Sequence, residues 1–169
     1  PASFDIHGVE YYGNMSFLKA GLYYADHITT VSPSYAEEIQ TEPLGFGLQG
    51  LLAGRRQSIT GIINGIDLTE WDPAIDRKLI KNYSNKKLSD KSANKLALQH
   101  EMGLTESPDV PLLGVVSRLN HQKGTDLLLD IAPHLAALPA QLVILGNGPA
   151  ELEHKLALLA LTYPGVIAV

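Results

Sequence analysis

Arg118 and Lys123 are the two residues in this chain whose types and placing best suit chemistry. They stand in Ser117-Arg118-Leu119-Asn120-His121-Gln122-Lys123-Gly124, after the apolar run 111–117 (PLLGVVS) and before a helical pattern that opens at Thr125. A loop placed this way ends at a helix N-terminus, where free amides and the helix dipole attract anions. A guanidinium fork with an ammonium nearby suits a diphosphate. Spacing alone favours a plainer reading, a solvated strand-to-helix loop carrying two surface charges.

Two further loops are candidates. Gly146-Asn147-Gly148 follows a second apolar run, and its glycines let a backbone come close to a ligand. The complete GxGxxG dinucleotide fingerprint is absent, because Glu151 stands where the third glycine belongs. A tight turn explains the two glycines equally well. Asn64-Gly65-Ile66-Asp67 reads in isolation as a type I′ turn, the common use of Asn-Gly. The histidines, His7, His27, His100, His121, His134 and His154, show no metal-ligand spacing and are expected on surfaces or in packing, with His121 set apart by its place in the anion loop. Ser32 lacks a GxSxG elbow, which argues against a nucleophile. Trp71 with Pro73 reads as a packing anchor, and Arg55 with Arg56 as a solvated pair.

The elements that must position these residues are clearest in the last third. Strands are expected at 111–117, 141–146 and 165–169, with helices over 125–138 and 149–163. The near-continuous apolar run of 111–117 predicts a strand covered on both faces. Pro133 predicts a kink or break in the first of these helices. Strand–helix–strand–helix–strand with short links is a βαβαβ unit, hence an α/β fold with a Rossmann-like parallel sheet over 111–169. In such sheets ligands bind beyond the carboxyl ends of the strands, where both glycine and cation loops fall. Earlier in the chain, 14–25 predicts a helix capped by Asn14 and apolar all round. Residues 27–32 predict a buried strand, 34–40 a helix behind Pro33, and 41–58 a loop with a short helical turn around 47–56. Residues 59–67 read as a strand entering the Asn-Gly turn, and 89–102 as a helix closed by Gly103.

Composition narrows the classes. The chain has 169 residues, 45% of them hydrophobic, and a formal net charge of -5, which argues against a nucleic-acid partner. It contains no cysteine, so thiolate, disulfide and zinc–cysteine chemistry are excluded. No apolar run approaches the ~18 residues of a membrane-spanning helix, so no membrane partner is expected. The start carries no signal-peptide pattern and no initiator Met, and the end stops in an expected strand; a fragment of a longer protein is the expectation.

Read together, several segments resemble the bacterial glycogen synthases and plant starch synthases. They are FLKAGLYYADHITTVSPSYAEEI (17–39), GFGLQGLL (45–52), GIINGID (61–67), WDP (71–73), the NK and LQ pairs within 94–99, and VVSRLNHQKG (115–124), all in the family's order. The resemblance covers essentially the whole chain. It implies the GT-B arrangement of two Rossmann-like domains, present here incompletely. Residues 1–60 would close the N-terminal, acceptor-side domain, 61–67 would be the crossing, and 68–169 would be the first half of the nucleotide-sugar-binding domain. It implies a cytoplasmic enzyme (plastidial in a plant) that transfers glucose from ADP-glucose to the non-reducing end of an α-1,4-glucan with retention, without a metal or cofactor. By the same resemblance Arg118 and Lys123 hold the diphosphate and are the catalytic candidates. Asn64 falls on the glucosyl and glucan side, and Gly146 and Gly148 fall on the glycines of the nucleotide-binding domain. The family's Lys-x-Gly-Gly-Leu loop, its Glu-Pro-Cys-Gly-Leu segment and the histidine near the transferred glucose are not among these 169 residues, so the chain alone is expected to be inactive. The alternatives are a non-catalytic nucleotide-binding module on the same unit, or a related GT-B transferase using another donor such as UDP-glucose.

Overall fold

The computed structural model describes residues 4–169. The chain divides into two compact units, one running up to Asp67 and the other spanning Leu68–Val169. Each is described by itself.

The first unit opens with a small antiparallel hairpin, β1 (Glu10–Tyr11) and β2 (Asn14–Met15), paired Glu10 to Met15 and Tyr11 to Asn14. Helix α1 (Phe17–Tyr24) follows at once. Asn14 therefore does not cap it. Ser16 does, accepting the Lys19 amide at 3.2 Å, because the hairpin turn at Tyr12-Gly13 has already committed Asn14 to a strand. The apolar surround expected to be buried is exposed in this chain, which spans only part of the fold's length: Phe17 is 77% and Leu18 67% exposed. Strand β3 (Ile28–Thr30), helix α2 (Pro33–Glu38), helix α3 (Gln49–Gly54) and strand β4 (Ile59–Gly61) complete the unit. β3 and β4 pair in parallel, Ile28 with Ile59. Ser32 is the N-cap of α2, its hydroxyl accepting the Tyr35 amide at 2.9 Å. Arg55 is not solvated. Its guanidinium donates to the Leu22 and Tyr23 carbonyls at 2.5 and 2.8 Å and to the Ala25 carbonyl, satisfying groups that the end of α1 leaves open.

The second unit begins with irregular chain. Trp71 is 68% exposed there rather than anchoring a core, because the turns around it are held by polar bonds, such as the Asn82 amide to the Pro73 and Asp76 carbonyls. Helix α4 (Lys91–Glu101) ends in a complete Schellman motif. Leu104 N–H reaches the Gln99 carbonyl at 2.8 Å, Gly103 N–H reaches the His100 carbonyl at 3.2 Å, and Gly103 takes φ 66°.

Strand β5 (Leu112–Val116), helix α5 (Thr125–Ala136), strand β6 (Gln141–Leu145), helix α6 (Ala150–Thr162) and strand β7 (Ile167–Ala168) then form the expected βαβαβ unit. The sheet is parallel in the order β5-β6-β7. One face carries Leu142, Ile144 and Ile167 against Ala132 and Leu135 of α5 and Leu156 of α6. The other carries Val143 and Ala168 against Leu104. Coverage on both faces holds over 141–144 of β6 and is partial for β5, where Val115 packs on the first cluster and Leu112 on the second while Val116, at the carboxyl end, is 79% exposed. Pro133 lies inside α5 without breaking it. The buried Ala132 and Leu135 on either side of it hold the last turn in the core.

A buried amide pair ties this unit together. Gln99 Nε2 donates to Gln141 Oε1 at 2.5 Å and to the Ser107 carbonyl at 3.1 Å, and Gln141 Nε2 donates to the Thr105 carbonyl at 2.6 Å and the Gly165 carbonyl at 3.1 Å. Helix α4, the start of β6 and the turn before β7 are thus fixed by one network. Gln141→Leu leaves several buried groups without partners and should lower stability by roughly 1–3 kcal/mol. An unchanged denaturation midpoint would show that the network does not hold the unit.

Candidate functional site

The candidate site lies at the carboxyl ends of β5 and β6, where the parallel sheet opens. The chain leaving β5 passes through Ser117 and Arg118 and then turns inward at Leu119, which is 2% exposed. Asn120 caps the next turn: its Oδ1 accepts the Lys123 amide at 3.0 Å across a 3-10 turn, His121–Lys123. Gly124 takes φ 73°, a left-handed conformation suited to glycine, and redirects the chain into α5. The loop thus carries Arg118 just beyond β5 and Lys123 at the amino end of α5. Arg118 and Lys123 are exposed, and among the described residues no ion pair or side-chain hydrogen bond engages either of them.

Gly146 and Gly148 are brought against this loop. A Cβ on Gly146 would lie 2.0 Å from the Ser117 carbonyl oxygen, and one on Gly148 would lie 2.2 Å from the Leu119 carbonyl oxygen. Two backbone bonds accompany the contact, Ser117 N–H to the Leu145 carbonyl at 3.1 Å and Leu119 N–H to the Asn147 carbonyl at 2.8 Å. The close approach that these glycines allow is therefore to the cation loop itself. Spacing pointed to a close approach at the glycines; that the partner is backbone depends on strand register.

Charge separates the two loops. The first turn of α6 holds Glu151 and Glu153, and the Gly148 amide is taken by Glu153 Oε1 at 2.8 Å. That helix start is already supplied with anions. The first turn of α5 holds Asp126, but its Oδ2 lies 3.0 Å from His121 Nδ1. The hydrogen bond from His121 is the main cause that holds the Asp126 carboxyl below its usual range, helped by its own and the Leu127 backbone amides. Among the described residues, the loop after β5 therefore offers an anion the free cations Arg118 and Lys123, which the loop after β6 does not. Asp126 was not among the residues singled out in the sequence, and the i, i+5 spacing to His121 carries no periodic signal that would have marked the pair.

Asn64 belongs to the first unit. Residues 62–67 are neither helix nor strand, and Ile62 is tied to the sheet through the Thr30 carbonyl at 2.7 Å. Neither Asn64 nor Gly65 takes a positive φ, so the segment is not a type I′ turn. It leaves β4 as extended, exposed chain, because β4 pairs in parallel with β3 and no hairpin partner follows it.

Comparison with known proteins agrees with the motifs. Residues 1–54 match the family model described as the starch synthase catalytic domain. Over all of this chain the sequence is 64% identical to a glycogen synthase of Nitrosomonas europaea, and over 99% of it 52% identical to one of Aromatoleum aromaticum. It spans about a third of those relatives, 34% of each. A solved structure, the catalytic domain of starch synthase IV from Arabidopsis thaliana bound to ADP and acarbose, superposes with a TM-score of 0.87 at 28% identity, covering 99% of this chain and 35% of that one. The chain belongs to the glycogen and starch synthase family, and its fold is α/β of the GT-B type, present in part.

The Asp126–His121 contact can be tested by titration. A carboxyl whose folded pKa is depressed adds stability that is complete above the unfolded value and is lost as pH falls through the folded value. The NMR midpoint of the Asp126 carboxyl should fall below the ordinary 3.8 and move back toward it in His121→Ala. A wild-type midpoint at or above that value would show that the pair is not formed.

Proposed function

We propose that the full-length protein is a retaining glucosyltransferase that moves glucose from ADP-glucose to the non-reducing end of an α-1,4-glucan such as glycogen. One observation carries the reading. Two unengaged cations stand in the loop between the carboxyl end of β5 and the amino end of α5, while the neighbouring start of α6 is filled by its own carboxylates. That is an arrangement for a diphosphate.

In this reading Arg118 and Lys123 grip the two phosphates of the donor. As the bond between the anomeric carbon and the β-phosphate oxygen breaks, negative charge grows on the departing ADP. Fixed cations there stabilise the transition state more than the ground state. Gly146 and Gly148 support the site by letting the loop after β6 lie flat against residues 117–119, which holds the Arg118 backbone in place. Asn64 acts on the glucosyl and glucan side. Residues 1–60 belong to the acceptor-side domain, 61–67 to the crossing, and 68–169 to the first half of the nucleotide-sugar-binding domain. The similarity to glycogen synthases, and to a starch synthase solved with ADP bound, supports the donor and acceptor classes.

Arg118→Ala and Lys123→Ala in the full-length enzyme should each lower turnover with ADP-glucose by roughly 30- to 10³-fold, the loss of about 2–4 kcal/mol of transition-state stabilisation. Near-wild-type turnover in both would sink the diphosphate assignment, and preference for UDP-glucose in donor competition would sink the choice of base. The 169 residues alone should transfer no glucose to glycogen in a single-turnover assay; robust transfer would show that this part is sufficient.

A further inference from the structure

The Asn147–Gly148 peptide joins the two loops at the open end of the sheet. Its carbonyl, on Asn147, accepts the Leu119 N–H at 2.8 Å. Its N–H, on Gly148, donates to Glu153 Oε1 at 2.8 Å. One peptide plane is thus held from both edges, by the residue after Arg118 on one side and by a carboxylate of α6 on the other. Ser117 N–H, bonded to the Leu145 carbonyl at 3.1 Å, completes the contact, so the residues on either side of Arg118 are both tied to the chain leaving β6. A peptide plane turns over when ψ of the residue before it and φ of the residue after it change together, the difference between type I and type II turns. Glycine at 148 tolerates the φ that a flipped plane demands, so its own sterics set no barrier. Residue 148 must nonetheless be glycine, since a Cβ there would lie 2.2 Å from the Leu119 carbonyl oxygen. The close packing under the cation loop therefore leaves this peptide free to turn. A flip would aim the Asn147 carbonyl away and leave the N–H of Leu119, a residue 2% exposed, without its partner.

Glu153 supplies the constraint that glycine does not. An ionised carboxylate accepts and never donates, so it can face the N–H edge of this peptide and not its carbonyl edge. A hydrogen bond to a charged acceptor is about twice as strong as a neutral one. Bonding at the N–H also polarises the carbonyl of the same peptide, which strengthens the bond to Leu119 N–H. The carboxylate is itself well placed: Glu153 stands in the first turn of α6, and its own N–H donates to the Pro149 carbonyl at 3.2 Å. The two acidic residues of that turn are used differently. Glu151 takes Lys155 Nζ at 2.6 Å, an ordinary i, i+4 pair, whereas among the described residues Glu153 joins no ion pair and takes a backbone amide instead. Every one of these contacts lies within the second unit.

We infer that Glu153 is a positioning residue for the donor site: it fixes the orientation of the Asn147–Gly148 peptide and, through the Leu119 amide, the place of Arg118. This rests on the proposed grip of Arg118 on the donor diphosphate. The test is steady-state kinetics of the full-length enzyme with ADP-glucose and glycogen. Glu153→Ala should raise KM for ADP-glucose roughly three- to tenfold and leave KM for glycogen unchanged. Glu153→Gln, whose side-chain oxygen can still accept the Gly148 N–H, should keep the donor KM within about twofold of wild type. In an Arg118→Ala background Glu153→Ala should add no further rise, because the carboxylate acts through Arg118. Glu153→Asp, one methylene shorter, should behave as Glu153→Ala does and replaces it if that variant fails to fold. A donor KM unchanged in both Glu153→Ala and Glu153→Asp, a KM for glycogen raised equally, a Glu153→Gln enzyme as impaired as Glu153→Ala, or an undiminished rise in the Arg118→Ala background overturns the inference. An Arg118→Ala enzyme with wild-type turnover and donor KM overturns the diphosphate assignment instead.

Discussion

The candidate site depends on one backbone contact. The chain after β6 can lie against the chain after β5 only because residues 146 and 148 have no side chain, since any Cβ there would collide with a carbonyl oxygen of Ser117 or Leu119. The two hydrogen bonds beside it extend the parallel pairing of β5 and β6 beyond the strands. Leu119, buried under this contact, fixes where the loop turns, and the turn decides where Arg118 and Lys123 stand. A site made of two exposed cations gains its precision from the backbone beneath them rather than from partners of the cations themselves.

Electrostatics then distinguishes two helix starts that look equivalent in topology. Both α5 and α6 follow a strand and both point amide groups toward the open end of the sheet. Glu151 and Glu153 answer the dipole of α6 from within, and one of them takes the Gly148 amide directly. In the first turn of α5 the acidic residue, Asp126, is engaged by His121 from the preceding turn, while Lys123 stays free. The net charge of -5 hides this local arrangement, which is why overall composition argues against a nucleic-acid partner without excluding an anionic small molecule.

The first unit uses its cations differently. Lys19 and Arg55 both turn inward to backbone carbonyls, Lys19 joining the hairpin to α1 and Arg55 closing the far end of the same helix. Such helix-end carbonyls have no partner within the helix, and a fork of guanidinium donors satisfies several at once. The short helix α1 is thereby held at both ends.

The order of elements in the second unit was legible from residues alone. Its strands are short apolar runs, its helices carry leucines at helical spacing, and Gly103 marks the end of α4; each is a local signal. The family motifs likewise belong to the sequence, since they need no coordinates. What local signals could not supply were the contacts between distant residues. Asn14 is as good a cap as Ser16 until the Tyr12-Gly13 turn pairs it with Tyr11. Arg55 and Arg56 are alike in sequence, yet one clamps α1 and the other is exposed. Asn64-Gly65 suits a hairpin, but β4 runs parallel to β3 and has no hairpin to make. Pro133 breaks an isolated helix but not one pinned by Ala132 and Leu135. Residue types and spacing thus determined the α/β class, while the quoted motifs carried the family and, through it, the candidacy of Arg118 and Lys123. Only the tertiary structure decided that Gly146 and Gly148 meet the cation loop and that His121 engages Asp126, because each depends on register and packing that local sequence signals do not encode.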